Sequence, residues 1–173
     1  MNIKCIVVGW LQENCYIITK NNDAIIVDPG DEFDRIEMNL DNYNVKAILI
    51  THYHDDHIGA LDSVVNKYNV PIFDYKSVNK NVKIGDFDFE IIDTKGHTED
   101  SVTFYFKKDK VMFTGDFLFK DSIGRYDFQN SSYEDMLKSI EKIKMYPLDV
   151  TIYPGHGEHS SLGYEVQNNI FLA

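Results

Sequence analysis

Along the chain, short apolar runs rich in β-branched residues alternate with polar turns. "KCIVV", "CYIIT" and "AIIVD" read as β-strands, the last closed by the turn signal "PG". "EFDRIEMNL" sets Phe33, Ile36 and Leu40 at helical spacing. "KAILIT" is a continuous apolar strand, after which Ile58, Leu61, Val64, Val65 and Tyr68 form a helical stripe. "PIF", "FDFEII", "SVTFYF" and "KVMFTG" predict further strands. "SSYEDMLKSIEKI" predicts a helix with a capping box at Ser131 and Glu134 and a stripe of Met136, Leu137, Ile140 and Ile143. "LDVTIYP" predicts a last strand. Strands in two groups, each followed by helices, imply an α/β protein with sheets packed together and helices outside.

Length and charge narrow the picture. At 173 residues, with no repeat, low-complexity segment or linker, the chain is expected to form one domain able to bury its own core. No apolar run is long enough to span a bilayer. "MNIKCIVVGWL" has one early lysine, an apolar stretch broken by Gly9 and no small-residue cleavage site, so it reads as a first strand rather than an export signal. A cytoplasmic setting is therefore expected, with Cys5 and Cys15 reduced. A net charge of −11 argues against nucleic acid or an anionic membrane as a partner. It also makes the two arginines, Arg35 and Arg125, conspicuous.

The densest chemistry lies in "THYHDDHIGA". His52 and His54 follow "KAILIT"; two residues apart at the end of an extended strand, they point the same way. Asp56 and His57 fall at the turn into the next helix. Imidazole and carboxylate at this spacing suit a divalent metal, although a polar His/Asp loop can also be plain surface. His97 in "TKGHTEDS", Asp116 in "KVMFTGD" and His156 in "YPGHGEH" each sit just past a strand, beside a glycine. Alone, each has an ordinary turn or loop explanation. Together the seven fit two metal ions sharing one carboxylate.

The run THxHxDH with its later "GH", "GD" and "GHG" resembles the metallo-β-lactamase-fold hydrolases. "ENCYII", "IIVDPGD", "GDFLFKDSIGRYDF" and "PGHGEHSSLGYE" resemble more narrowly the small glyoxalase II-like (hydroxyacylglutathione hydrolase-like) branch. The resemblance spans about residues 3 to 165. It implies a four-layer αββα sandwich with metals at one edge of the sheets. By motif, His52, His54 and His97 would bind one ion, Asp56, His57 and His156 a second, and Asp116 would bridge them. The ions would be two divalent cations, Zn²⁺ first, with Fe or Mn as alternatives. Asp28 in "VDPG" would orient a ligating imidazole, unless it serves only as a turn residue. One departure is "KGHTEDS", where the family commonly has Pro-Gly-His-Thr-Pro-Gly-Ser. The full-length relatives carry a C-terminal helical domain for glutathione, which this sequence is expected to lack.

The implied activity is hydrolysis of an acyl bond by a metal-bridging hydroxide, with a small-molecule thioester as the leading substrate. Asp56 and Asp116 would be the catalytic carboxylates. Two ions about 3.5–4 Å apart bring a shared water toward neutral pKa. A thiolate leaves without a strong general acid, and no Ser-His or Cys-His pairing suggests a covalent route. Arg125 in "SIGRYDF" is a candidate for a substrate carboxylate, its alternative being a salt bridge to Asp121 or Asp127. His159 reads as a solvated loop histidine or a group near the substrate. Two other classes stand beside this reading. One is a mononuclear iron persulfide dioxygenase using His52, His97 and Asp116; the other is a non-catalytic metal-binding protein. Secreted β-lactamase and nuclease activities are not expected. Oligomeric state is not legible.

Overall fold

The computed structural model describes residues 1–172. The first sheet has the order β1 (Asn2–Val8), β2 (Glu13–Lys20), β3 (Asp23–Val27), β4 (Asn44–Leu49) and β5 (Ile72–Phe73). The second combines β6 (Asn81–Ile84), β7 (Phe87–Asp93), β8 (Val102–Phe106), β9 (Val111–Gly115), β12 (Thr151–Pro154) and β13 (Ser160–Ser161). A small hairpin, β10 (Leu118–Phe119) and β11 (Ser122–Ile123), stands apart. The helices are α1 (Phe33–Glu37), α2 (Asp55–Ile58), α3 (Leu61–Tyr68), α4 (Tyr133–Ile143) and α5 (Leu162–Asn168).

The period of two along the strands assigns the layers. On β2, Tyr16 and Ile18 face inward, where they meet Phe89, Phe104, Phe106 and Phe113 of the second sheet. Cys15 and Ile17, which alternate with them, face outward and pack with Ile36 of α1 and Val64 of α3. On the far side, Ile92, Met112 and Ile152 lie under Met136, Ile140 and Ile143 of α4. Two sheets face to face with helices on both outer surfaces make the αββα sandwich, as expected. Among the described residues no helix is long and apolar enough to cross a membrane.

Parallel pairing aligns the strand ends. β3 runs parallel to β4, β9 runs parallel to β12, and two successive antiparallel pairings leave β7 and β9 running the same way. The segments after β3, β4, β7, β9 and β12 therefore emerge at one edge. Val102 N donating to the Thr51 carbonyl at 2.8 Å ties the two sheets together at that edge.

Several expectations need correction. The stripe from Ile58 to Tyr68 is two helices, because Ala60 N turns to donate to the Pro29 carbonyl (2.9 Å) and docks the break on the Pro29–Gly30 loop. Ser132, not Ser131, caps α4: its Oγ accepts from Asp135 N at 3.2 Å. Leu137 is exposed, and buried Ser139 takes a place on the inner face, its Oγ donating to the Lys95 carbonyl. β6, β13, the β10–β11 hairpin and α5 were not expected. Ser161, whose Oγ accepts from Tyr164 N, gives α5 an N-cap.

Candidate metal centre

The seven side chains singled out from the sequence meet at the shared edge. His52 Nε2 and His97 Nε2 each lie 3.1 Å from His54 Nδ1. Beside them, Asp56 Oδ2 is 3.3 Å from His156 Nε2 and 3.9 Å from His57 Nε2. Asp116 stands between the two groups. Its Oδ1 is 3.4 Å from His57 Nε2, while its Oδ2 is 3.6 Å from His97 Nε2 and 3.7 Å from His156 Nε2. The donor atoms of His52, His54 and His97, and those of Asp56, His57 and His156, lie within 4.8 Å of one another in each group.

The surroundings orient the rings. Thr51 Oγ1 donates to Asp28 Oδ2 (2.6 Å), which leaves its lone pair to accept from His52 Nδ1 (3.1 Å). His57 Nδ1 donates to Asp28 Oδ2 (3.0 Å), and His97 Nδ1 donates to the Arg125 carbonyl (2.8 Å). In all three rings Nδ1 is held by an acceptor outside the cluster and Nε2 faces into it, the orientation that a metal ligand requires. His57 Nε2 and Asp116 Oδ1 are buried and have no hydrogen-bond partner, though they face each other. Buried donors left unpaired are costly, and a cation between them would satisfy both. The residues present therefore fit a pair of divalent ions.

Protonation follows the same geometry. Burial and the neighbouring imidazoles hold His52 well below its usual range, and burial also lowers His97. For His57, burial opposes the charge, but Asp116 and Asp28 override it and raise the pKa well above normal. The hydrogen bond from His156 pulls Asp56 down to about 2. Protons and divalent ions compete for the same ring nitrogens.

Asp28 is more than a turn residue. Its Oδ1 also accepts from Thr51 N at 2.7 Å, so one carboxylate organises the strand end and two imidazoles. Arg125 makes the salt bridge to Asp127 that the sequence offered as its alternative, with bonds of 2.9 and 3.1 Å. Its guanidinium lies 4.4 Å from the Phe128 ring centre, and it contributes its backbone carbonyl to His97. His159 is exposed and stacks on Tyr153. Neither Cys5 nor Cys15 forms a disulfide.

Sequence reasoning missed four supporting residues. Thr51, which begins the quoted cluster, could have been found from its place beside His52. Asn14 Nδ2 donates to the Pro154 and Gly157 carbonyls (3.1 and 2.9 Å) and pins the turn that carries His156. Glu13, beside it, is buried with both carboxylate oxygens unpartnered, and its Oε1 lies 3.8 Å from His57 Nδ1. Ser131 Oγ donates to the His97 carbonyl at 2.6 Å. The contacts of Asn14, Glu13 and Ser131 span from 34 to 143 residues of sequence, and no local pattern announces them.

Residues 8–78 and 76–156 match the metallo-beta-lactamase superfamily, and the chain belongs to it. The hydroxyacylglutathione hydrolase GloC of Haemophilus influenzae is 32% identical, over 99% of this chain and 98% of that protein. Among solved structures, the B3 metallo-beta-lactamase BLEG-1 superposes with a TM-score of 0.93 at 31% identity, covering 99% of each chain. TTHA1623, solved in a di-iron-bound form, superposes at 0.85 with 26% identity, covering 98% of this chain and 100% of that one.

Proposed function

We propose that the protein is a metal-dependent hydrolase of acyl bonds, with a small thioester as its substrate. The reading rests above all on the convergence of seven His and Asp donors, two of whose buried atoms, His57 Nε2 and Asp116 Oδ1, face each other without partners. In this reading His52, His54 and His97 hold one divalent ion and Asp56, His57 and His156 the other, with Asp116 shared. When bound, such ions acidify water toward neutrality and offer a positive centre to an acyl oxygen.

The chain's own part is positioning. Asp28, Thr51 and the Arg125 carbonyl hold three imidazoles with Nε2 inward. Asp56, pulled to about 2, is ionised at neutral pH and serves as an anion and acceptor rather than as an acid. That suits a thiolate, which departs without being protonated. The Thr51 hydroxyl, which touches the His52 ring, is buried and donates to Asp28, so a covalent route through it is disfavoured. The 32% identity to a hydroxyacylglutathione hydrolase supports the thioester. The two free thiols, Cys5 and Cys15, support a cytoplasmic setting. Hydrolysis of a β-lactam at the same centre is a second reading, favoured by the 31% identity to BLEG-1.

The test is metal content and turnover measured on one preparation. Thioester hydrolysis that chelation abolishes and divalent metal restores, with about two ions per chain, is the expected result. Turnover of β-lactams but of no thioester favours the second reading. One iron per chain with oxygen uptake on a persulfide would replace both by the dioxygenase.

A further inference from the structure

Beside the metal centre lies a groove of about 570 Å³, and its wall chemistry is uneven. Trp10, Leu11 and Phe128 give it apolar faces, while Asp31, Asp55 and Asp56 give it negative charge; no lysine or arginine lines it. Trp10 is the only tryptophan of the chain and is 88% exposed, at the tip of the turn between β1 and β2. That turn rests on acid: Gly9 N donates to Glu32 Oε2, and Asp31 packs against Gly9. Asp55 is exposed, and neither its carboxylate nor that of Asp31 forms an ion pair among the described residues. The guanidinium of Arg125 lies against Phe128, is neutralised by Asp127 and lines a different cavity, and that of Arg35, behind the turn, is paired with Glu32.

An aromatic face flanked by unpaired carboxylates is the environment that recognises an organic cation. A negative group placed between Trp10, Asp31 and Asp55 meets like charge from both of these carboxylates. We propose, on the footing of the hydrolase reading above, that this groove takes the non-reacting half of the substrate and selects it by charge: cationic first, neutral next, anionic last. The acyl oxygen then faces the metal centre while an ammonium or similar group lies between Trp10, Asp31 and Asp55. Thioesters of anionic carriers are therefore poor substrates, and those of an amino-thiol are good ones.

The experiment reads binding apart from turnover. Three non-hydrolysable thioethers with one shared acyl-like half are titrated into the metal-loaded protein. Their other halves are aminoethyl, acetamidoethyl and carboxyethyl, and Trp10 fluorescence reports occupancy. The expected dissociation constants rise in that order, with roughly tenfold or more between the ends at low salt, as two like or unlike charges at short range would give. The ratio should shrink severalfold at 0.5 M salt. Asp31→Asn and Asp55→Asn, both exposed positions, should each lower it, whereas Asp88→Asn, at the opposite edge of the sheets beside Lys108, should not. Equal or reversed affinities, a ratio unmoved by Asp31→Asn and Asp55→Asn together, or no fluorescence change with any probe overturns the proposal. Binding in the expected order without hydrolysis of the matching thioesters overturns the hydrolase reading instead. Hydrolysis with the anionic thioester preferred does the reverse.

Discussion

Asp28 Oδ2 accepts at once from His57 Nδ1 at 3.0 Å and from Thr51 Oγ1 at 2.6 Å, so one oxygen sets the orientation of a ring on α2 and of the hydroxyl that orients His52. Asp28 sits at φ +47°, a left-handed conformation that Asn adopts as readily as Asp. Asp28→Asn therefore leaves the backbone alone and changes only the charge and one acceptor. Loss of this support should weaken metal binding about 10- to 100-fold, with little change in far-ultraviolet circular dichroism. Competition against a chromophoric chelator measures it, and unchanged affinity would show that Asp28 does no more than shape the turn.

Gly155 separates the second donor group from β9. A Cβ there would lie 2.4 Å from Asp116 Oδ1 and 2.6 Å from His57 Cε1. Gly155→Ala must displace one of the two, so metal stoichiometry should fall along with about 1–3 kcal/mol of stability. Gly157, two residues on, has no atom within 4 Å of its Cβ position but sits at φ +76°. Gly157→Ala should cost about 1 kcal/mol in backbone strain and leave metal content intact. Elemental analysis beside urea titration separates the two effects.

Cys5 offers a pH dependence outside the centre. Part of the residue is exposed, yet burial around its sulfur, reinforced by Glu13, raises the thiol to about 11. The thiolate is the reactive form, and at pH 8 only about one thiol in a thousand is ionised, so alkylation should be slow there and accelerate tenfold per pH unit until it levels near pH 11. In stability the sign is the same. The unfolded thiol ionises first, near 9, so this group's contribution is complete below that value and is lost as pH rises toward 11. Levelling of the alkylation rate near pH 8.5, followed by mass spectrometry, would contradict the burial argument.

The ligand-type residues were legible because chemistry confined them to strand ends. His52, His54, Asp116 and His156 each follow an apolar run whose period announces a strand, and the parallel pairing that gathers those ends is a rule of α/β layers. The contacts of Glu13 and Asn14 were not legible, because these residues act on segments distant in sequence from the start of a strand that reads simply as apolar. Short elements escaped for a different reason. A two-residue strand such as β13 has no period to detect and exists only because β12 offers it an edge.

The start of α4 shows how a one-residue shift in a motif redistributes function. Ser131 looked like the cap, but Ser132 Oγ accepts from Asp135 N, and its own N donates to the Gly96 carbonyl (2.9 Å). This frees Ser131 to bond the carbonyl of His97 at 2.6 Å. The two substitutions should therefore separate stability from metal binding. Ser132→Ala removes a helix cap and should cost about 1 kcal/mol in urea unfolding of the metal-free protein. Ser131→Ala removes no cap; it releases the loop that aims His97 into the cluster and leaves a carbonyl short of its donor. Its main effect should be a severalfold loss of metal affinity, with a smaller change in unfolding free energy than Ser132→Ala gives. If Ser131→Ala proves the more destabilising of the two and leaves metal affinity unchanged, the cap belongs to Ser131 after all, and α4 does not position the metal centre through this contact.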